Sequence, residues 1–492
     1  MERGLKDFWM ISKPLKTIYD NQAAFSNETF DDASQIKIFE VVQNRYFGLS
    51  TRSGIFFEMT EKARDELKEK KRNAAFEISQ DINDQLQIMA RTGVFSSNVI
   101  KTEYNYVTKM NLNLCHMCNL RCKYCFAEGG AYGQEEIYMT EETAKNALDL
   151  FIGQLPDNAS ANIILFGGEP LINIKLLKWI IRYTDEEAFK RNIKVVYDIF
   201  TNGTLLNNDI SHLMQEKENI RVLLSMDGPA EINDNFRCGT EKGSVTETIE
   251  RNLKYIRPFF DKRVVVRCTV GWEKEDLLDR IQYFSMMGFK NIVIDPAYCK
   301  DLPGIDDTDK IMVSILRQLS RVSEYLVQEL KGGNQINVNL ISEMLAQILK
   351  NGSSEVNYET PQCPGGRCYV AIDSLGEIYP CHYFVSTREY SCGNVYSDNL
   401  SQKNMIIDNG KKNLEKCNDD FCINCDLAVI CEGPCPYKNL ILFPEDLTVR
   451  KIYCTYMSRR IEESLKVLSD FYNCGNMPYL FMWDMLFNGK KK

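Results

Sequence analysis

Histidine is nearly missing: 492 residues carry three, His116, His212 and His382. So few imidazoles disfavour mixed cysteine–histidine metal sites and leave thiolate-only sites, iron–sulfur clusters or all-cysteine zinc. No apolar run is long enough to span a bilayer, and the N-terminus lacks the pattern of an export signal. There is no cationic excess either. With 59 Lys+Arg against 68 Asp+Glu the formal net charge is −9, which argues against a general nucleic-acid binder. The expectation is a cytoplasmic protein of about three domains that engages neither membrane nor nucleic acid. Cysteine itself is absent from residues 1–100.

Beyond that point cysteine is abundant, eighteen in all. A reducing compartment makes a disulfide framework a poor account of them, and metal binding a better one. The first group is Cys118-Asn-Leu-Arg-Cys122-Lys-Tyr-Cys125. Three thiols spaced CxxxCxxC can hold three irons of a [4Fe–4S] cube and leave the fourth iron open to chelate a small molecule. The competing reading is zinc, with Cys115 or His116 as a fourth ligand.

The cysteine-free stretch reads as a small module. Ile36–Val42, Tyr46–Leu49 and Gly54–Met59 are predicted strands. Thr60 is placed to cap a helix over Glu61–Lys71, and a second helix spans Gln80–Thr92 with Ile82, Leu86 and Met89 on one face. Three strands followed by helices predict a winged-helix-like module over residues 1–100. It is either a peptide docking site offering a strand edge or an extension packed on the catalytic domain.

Over residues 101–300 strands and helices alternate. Tyr104–Leu114, Asn162–Phe166, Lys194–Phe200, Arg221–Leu224, Arg263–Val270 and Asn291–Ile294 are predicted strands. Thr140 is placed to cap a helix with Ala144, Ala147, Leu148, Phe151, Ile152 and Leu155 on one stripe. Six βα units imply an α/β fold with a parallel sheet curled into an incomplete barrel. Each strand is followed by polar or glycine residues. The three cysteines follow the first strand, Gly167-Gly168-Glu169-Pro170 the second, Thr201-Asn202-Gly203 the third and Ser225-Met226-Asp227-Gly228 the fourth. Arg267 lies near the end of the fifth, and Asp295-Pro296 follows the sixth. Barrel enzymes build their sites at these ends.

With S-adenosylmethionine (SAM) on the open iron, each has a task. Gly167 and Gly168 bring backbone carbonyls to the methionine ammonium, and Glu169 favours its charge. Asn202, Ser225 and Asp227 suit the ribose hydroxyls and the carboxylate, Arg267 pairs with the carboxylate, and Tyr124 offers a face to adenine.

CxxxCxxC with an aromatic before its last cysteine, then GGEP, TNG and SxDG in that order, resembles the radical SAM superfamily over residues 104–296. The resemblance implies a partial (β/α)6 barrel. It also implies reductive cleavage of SAM to a 5′-deoxyadenosyl radical that takes a hydrogen from an unactivated carbon, with the electron from an external flavodoxin or ferredoxin.

Residues 301–360 read as a helical bridge, and a second cysteine constellation fills 361–456. It runs Cys363, Cys368, Cys381, then Cys422-x2-Cys425-x5-Cys431-x3-Cys435, and ends at Cys454. Eight thiolates satisfy two complete [4Fe–4S] clusters, three clusters in all. The pattern resembles the SPASM domain of radical SAM enzymes that act on peptides and proteins. That resemblance assigns Cys363, Cys368, Cys381 and Cys435 to one auxiliary cluster and Cys422, Cys425, Cys431 and Cys454 to the other. A helix over Ser458–Phe471 and an aromatic tail close the chain at 457–492. The remaining cysteines, Cys115, Cys238, Cys268, Cys299, Cys392, Cys417 and Cys474, read as small buried hydrophobes, with Cys268 an exception near the mouth.

Sulfatase maturases of this type carry an Asp base directly after the position of Cys381, where this chain has His382. The module at 1–100 resembles the leader-binding element of ribosomal-peptide enzymes. CFAEGG-AYG and YPCHYFV look most like maturases of cysteine-rich peptides, the six-cysteine, ranthipeptide and sactipeptide types. Those enzymes join a peptide cysteine to a carbon of another residue through a thioether. The resemblance implies a cysteine-containing precursor peptide with a leader as partner. His382 is then either a base with a near-neutral pKa or a hydrogen-bonded neighbour of a cluster. A carbon–carbon link, an oxidation of the sulfatase type and a zinc-bound peptide-binding scaffold are the other readings.

Overall fold

The computed structural model describes residues 7–11, 30, 32–41, 45–91, 94–95, 106–239, 243–272, 274, 276–298, 303–304, 306–350, 363–397, 425–431, 433, 435–438 and 447–473. Cys299, Cys417, Cys422 and Cys474, the Gly352-Ser353-Ser354 linker and the tail at 477–487 lie outside the described residues.

The N-terminal part forms strands β1 (Phe8–Met10), β2 (Ile36–Val41), β3 (Arg45–Ser50) and β4 (Phe56–Met59), then helices α1 (Glu61–Arg72) and α2 (Gln80–Arg91). The sheet is antiparallel in the order β1-β4-β3-β2. β1 is a strand beyond those predicted, and it needs its long-range partner β4 to exist. Thr60 caps α1 as expected, its hydroxyl accepting from Ala63 N at 3.2 Å.

Side chains alternate across this sheet, and both faces are buried. Ile36, Tyr46, Phe57 and Met59 pack with Leu67, Leu86 and Met89 of the two helices. Phe39, Val41, Phe47, Leu49 and Phe56 join the core of the main sheet. Arg45 pairs with Glu58 at 2.6 Å and donates to Ser469 O at 2.9 Å. One face of the module's sheet and Arg45 thus pack against the main body.

The main body runs β5 (Lys109–Asn113), α3 (Glu141–Gln154), β6 (Ser160–Phe166), α4 (Ile174–Phe189), β7 (Lys194–Thr201), α5 (Asn208–Glu216) and β8 (Ile220–Ser225). It continues through α6 (Ala230–Phe236), α7 (Val245–Asn252), β9 (Val264–Val270), α8 (Leu277–Met286) and β10 (Asn291–Pro296). β5 to β10 lie side by side in sequence order, all parallel. β5 is shorter than the predicted Tyr104–Leu114 at its start.

Helix α9 (Thr308–Lys331), strand β11 (Asn337–Val338) and helix α10 (Asn339–Lys350) follow. β11 adds to the β10 edge. β12 (Tyr369–Ile372) then pairs parallel with β5, and β13 (Glu377–Tyr379) and β14 (Gly393–Asn394) extend that edge antiparallel. The second cysteine region therefore shares one ten-stranded sheet with the barrel.

The last helix, α11 (Leu447–Asn473), begins well before the predicted Ser458 and carries Cys454 within it. Met457, Ile461, Leu465 and Leu468 supply its buried stripe. Glu463 accepts from Ser323 of α9 at 2.7 Å, and Arg460 donates to Leu340 O of α10 at 2.7 Å. A boundary at 456 cuts this helix, whose apolar period runs through the cysteine.

Pleating sorts the barrel strands into two faces. Met110, Ile163, Leu165, Tyr197, Ile199, Val222, Leu224, Val266 and Ile294 pack under the helices. Lys109, Asn111, Asn113, Asn162, Phe166, Asp198, Phe200, Arg221, Ser225, Arg267 and Asp295 alternate with them on the enclosed face. The register sets Asn113 beside Phe166, Ser225 beside Arg267 and Thr269 beside Asp295.

Candidate active site

The three-cysteine loop leaves β5 and is held against the end of β6. Gly168 N donates to Cys115 O at 3.0 Å, and Glu169 N to Met117 O at 2.9 Å. A Cβ on Gly168 would stand 2.0 Å from the Met117 carbonyl oxygen, and one on Gly167 2.5 Å from that of Cys115. Glycine alone permits this approach, so the GG pair acts first by docking the cysteine loop.

Cys118, Cys122 and Cys125 are half-buried. Burial, reinforced by Glu169 and the two neighbouring thiols, pushes the Cys118 thiol up to about 12. Burial does the same to Cys122, up to about 12, against the pull of Arg237. Thiols that raise one another in a shared pocket ionise readily only against metal charge, and a three-sulfur set suits iron in a cluster. A cube takes each thiolate on a different iron, so its donors surround a volume. Among the described residues no three Cys, His, Asp or Glu converge on a single ion. Of the fourth donors of the zinc reading, Cys115 and the Nε2 of His116 are engaged elsewhere, while the buried His116 Nδ1 has no hydrogen-bond partner among the described residues. Cys115 donates to Glu169 O at 3.3 Å, and His116 Nε2 accepts from Ser374 N at 3.3 Å. Burial pushes His116 down to about 4.

Glu169 is buried and ties the β6 and β7 ends together. Its carboxylate accepts from Asn202 N at 2.7 Å, the Thr201 hydroxyl at 2.8 Å and Leu171 N at 3.1 Å. Burial raises its pKa to about 7 despite these bonds. Asn202 Nδ2 donates to Asn119 Oδ1 at 2.9 Å and lies 3.7 Å from Cys118 Sγ, which binds the third strand end to the cysteine loop.

Asp227 departs from its expected task. It is fully buried and accepts from Arg237 Nε and Nη2, both at 3.0 Å, from Thr269 N at 2.8 Å and from the Tyr124 hydroxyl. Its oxygens are thus spent on a buried ion pair, and it anchors the loop rather than meeting ribose or carboxylate. Tyr124 is held by that bond, with the Arg237 guanidinium 5.4 Å from its ring centre and Phe236 at 5.9 Å. Ser225 is half-buried at its strand end, and Arg267 beside it donates to Asp295 at 2.8 Å. Cys268 points away from the mouth into the helix layer, where its thiol donates to Asp227 O at 3.3 Å.

In the second cysteine region, burial pushes Cys381 up, with Cys435 and then Cys363 adding to the effect. These three share a pocket. Burial also raises Cys368, which feels Lys109 and Arg367 instead. Cys425 is exposed, and Cys431 and Cys454 are half-buried.

Aromatic rings connect the regions. Phe126, next to Cys125, lies 4.7 Å from Tyr383 and 5.7 Å from His382, which follow Cys381. Tyr383 stacks on Tyr437, two residues past Cys435, at 5.4 Å. Phe166 and Phe200 of the strand ends close the wall at 5.2 Å from each other, with Arg267 5.1 Å from the centre of the Phe200 ring. His382 sits inside this wall, Nδ1 2.8 Å from the Tyr369 hydroxyl. Burial first, then Arg267, Lys109 and Lys438, push its pKa down to about 3. Burial thus disfavours the charged ring, and the bond to Tyr369 is the kind of contact that the hydrogen-bonded reading of His382 requires.

Arg237, Phe126, Tyr298, Tyr383 and Lys438 belong to this site and carry no strand-end motif. Only their closeness in sequence to a cysteine or to the SxDG turn signals them. A polar cavity of about 150 Å³ adjoins the mouth at Asp295 and Tyr298, walled by Asn339, Glu343, Tyr456 and Arg460.

The family model described as the radical SAM superfamily matches residues 112–290. A cysteine-type anaerobic sulfatase-maturating enzyme of Clostridium novyi is 25% identical over 371 residues, covering 72% of this chain and 93% of that one. An Fe-coproporphyrin III synthase of Methanosarcina barkeri is 32% identical over 345 residues, 65% of this chain and 81% of that one. Among solved structures, native anSMEcpe with bound AdoMet superposes with a TM-score of 0.61 at 19% identity, covering 75% of this chain and 100% of the other. That likeness shows a shared fold.

Proposed function

The chain belongs to the radical SAM superfamily, whose members use SAM and a [4Fe–4S] cluster, and we propose that it is a peptide maturase forming a thioether between a cysteine and a carbon of another residue. The observation that carries this reading is the aromatic wall of Phe126, Tyr383 and Tyr437. It joins the SAM-binding cysteine loop to Cys381 and Cys435, so a substrate in the mouth is in reach of both regions. The relative named as a sulfatase-maturating enzyme supports a peptide or protein substrate.

When bound, SAM on its reduced cluster supplies the hydrogen-abstracting radical, and two auxiliary clusters supply an electron acceptor beside the substrate. The residues of this chain do the remainder. Cys118, Cys122 and Cys125 hold the first cluster, and Gly167 and Gly168 let the loop seat. Asn202, Ser225, Tyr124 and Arg267 face the nucleoside and the methionine end, and Glu169 lends negative charge near the ammonium. Cys363, Cys368, Cys381 and Cys435, with Cys422, Cys425, Cys431 and Cys454, hold the auxiliary clusters. The rings of Phe126, Phe166, Phe200 and Tyr383 exclude water from the reacting carbon.

The leader peptide would pair with one of the two end strands of the N-terminal sheet, β1 or β2. The external donor is a flavodoxin or ferredoxin, and the compartment is the cytoplasm; no helix among the described residues is long and apolar enough to cross a membrane.

The test is an anaerobic reaction of the reconstituted protein with SAM, reductant and a cysteine-rich peptide, followed by alkylation and mass spectrometry. A product lighter by two hydrogens that has lost one alkylatable thiol is expected. The same mass loss with every thiol free would indicate the carbon–carbon alternative, and an aldehyde at the modified residue the sulfatase-type oxidation.

A further inference from the structure

The three-cysteine loop runs from the end of β5 to the start of α3 with a single short helical turn, Glu128–Gly130, inside it. No strand or helix ladder sets the positions of its sulfurs, so its carbonyls need other donors. One side chain supplies them. Arg121, between the first two cysteines, donates through Nη1 to Cys118 O at 2.6 Å and to Leu120 O at 3.0 Å. The same nitrogen lies 3.5 Å from Gly129 O, and Nη2 meets the Glu136 carboxylate at 3.3 Å.

The backbone of Arg121 is itself fixed to the body. Its N–H donates to Cys238 O at 2.7 Å and that of Lys123 to Phe236 O at 2.9 Å, so Cys122 is held between two backbone bonds to the segment that ends α6. From this fixed point the side chain turns back over the loop. Gly129 has a left-handed backbone, φ 75°, and a Cβ there would stand 2.8 Å from Arg121 Cδ. The glycine leaves a bed for the arginine stem. Its neighbour Gly130 packs on the loop's start, where a Cβ would stand 2.6 Å from Gly168 Cα and 3.0 Å from Cys118 Cβ. The turn after Cys125 therefore closes back on Cys118, and Arg121 bridges the two.

A cube takes each sulfur on a different iron, so the three thiolates must keep fixed separations. A guanidinium, with five donors in a rigid fork, spans carbonyls from both ends of such a loop; an ammonium is a point donor.

We infer that Arg121 is a positioning residue of the first cluster, a latch tying the carbonyl of the first cysteine to the turn after the third, which keeps the three sulfurs at the spacing the cube needs. This rests on the assignment of that cluster to Cys118, Cys122 and Cys125, and not on the identity of the peptide.

The anaerobic holoenzyme, with about twelve irons by the ligand count, is mixed with a ferrous-iron chelator in the absence of SAM and reductant, and iron release is followed with time. Arg121→Met is expected to release about four irons roughly tenfold faster than the unmodified protein, the scale of one charge-assisted hydrogen bond, while the other clusters empty at their unchanged rate. Arg121→Lys, which keeps the charge and loses the fork, should fall between, at about threefold. A folded Arg121→Met protein that loads only about eight irons is the same result at its extreme. Unchanged release in Arg121→Met overturns the inference. So does an equal acceleration of every cluster together with a lower unfolding midpoint, which marks a general loss of stability. Arg121→Lys indistinguishable from the unmodified protein overturns it too, because a point charge would then suffice. The triple Ala variant of Cys118, Cys122 and Cys125 is run alongside, and if it still holds about twelve irons, it is the cluster assignment that falls.

Discussion

The ring of Phe126 lies 4.7 Å from that of Tyr383, so the residue after Cys125 touches the second residue after Cys381. These positions are more than 250 residues apart in the chain, yet they form one wall. The contact follows from β12 pairing parallel with β5, which brings the second cysteine region onto the barrel's own sheet.

Replacing Cys118, Cys122 and Cys125 together with Ala is expected to abolish 5′-deoxyadenosine formation while leaving about eight irons per chain, two clusters' worth. Iron analysis beside chromatography of the nucleoside checks this. Nucleoside release surviving in the triple variant would contradict the assignment.

Arg237→Met should be among the most damaging single substitutions outside the cysteines. It leaves the Asp227 carboxylate buried without its bidentate partner, a loss of roughly 3–5 kcal/mol for a buried pair broken on one side. Anaerobic denaturant unfolding measures it. A loss below about 1 kcal/mol, the scale of an exposed pair, would show that the pair is solvated in solution.

Two glycines should answer oppositely to alanine. At Gly168 the new Cβ would meet Met117 O at 2.0 Å, backbone against backbone, so the cysteine loop must move and SAM cleavage should fall steeply. At Gly153, exposed in α3 with nothing within 4 Å, alanine should stabilise by about 0.5–1 kcal/mol through helix propensity. Rates and melting curves of the two variants decide the matter.

Asp373 gives a pH signature. Burial raises its pKa to about 6 from the ordinary carboxylate value, although Leu375 N and Glu377 N donate to it. The folded state therefore holds this proton more tightly than the unfolded chain. The stabilisation is fully present below the unfolded pKa of about 4 and is lost as pH rises to about 6. Asp373→Asn should flatten that fall, by roughly 1–3 kcal/mol across the window. Unfolding at both ends of the window, in the two proteins, measures it. Equal slopes would mean that Asp373 titrates normally.

The strands and helices were largely legible because their signals are local. Thr60 and Thr140 cap helices where their hydroxyls predicted, and the six barrel strands appear with small shifts at their ends. The CxxxCxxC, GGEP and SxDG turns also fall where the strand ends required. Less legible was what each turn residue does. Asp227 reads as a ligand-facing acid, but Arg237, a short helix away, consumes it. His382 reads either as a near-neutral base or as a hydrogen-bonded neighbour of a cluster, and only its burial among the rings of Phe126, Phe166 and Tyr383 disfavours its charged form.

Sequence alone determined the cysteine spacing, the alternation of strand and helix, and hence the barrel with its mouth at the strand ends, because each depends on residues within a few turns of one another. Tertiary structure decided which charges remain available and how the parts join: the N-terminal sheet buried on both faces, Cys454 inside α11, and the Asp227 carboxylate taken up by Arg237. Those outcomes depend on burial and on partners brought from distant segments, and no local pattern encodes the dielectric surroundings of a side chain.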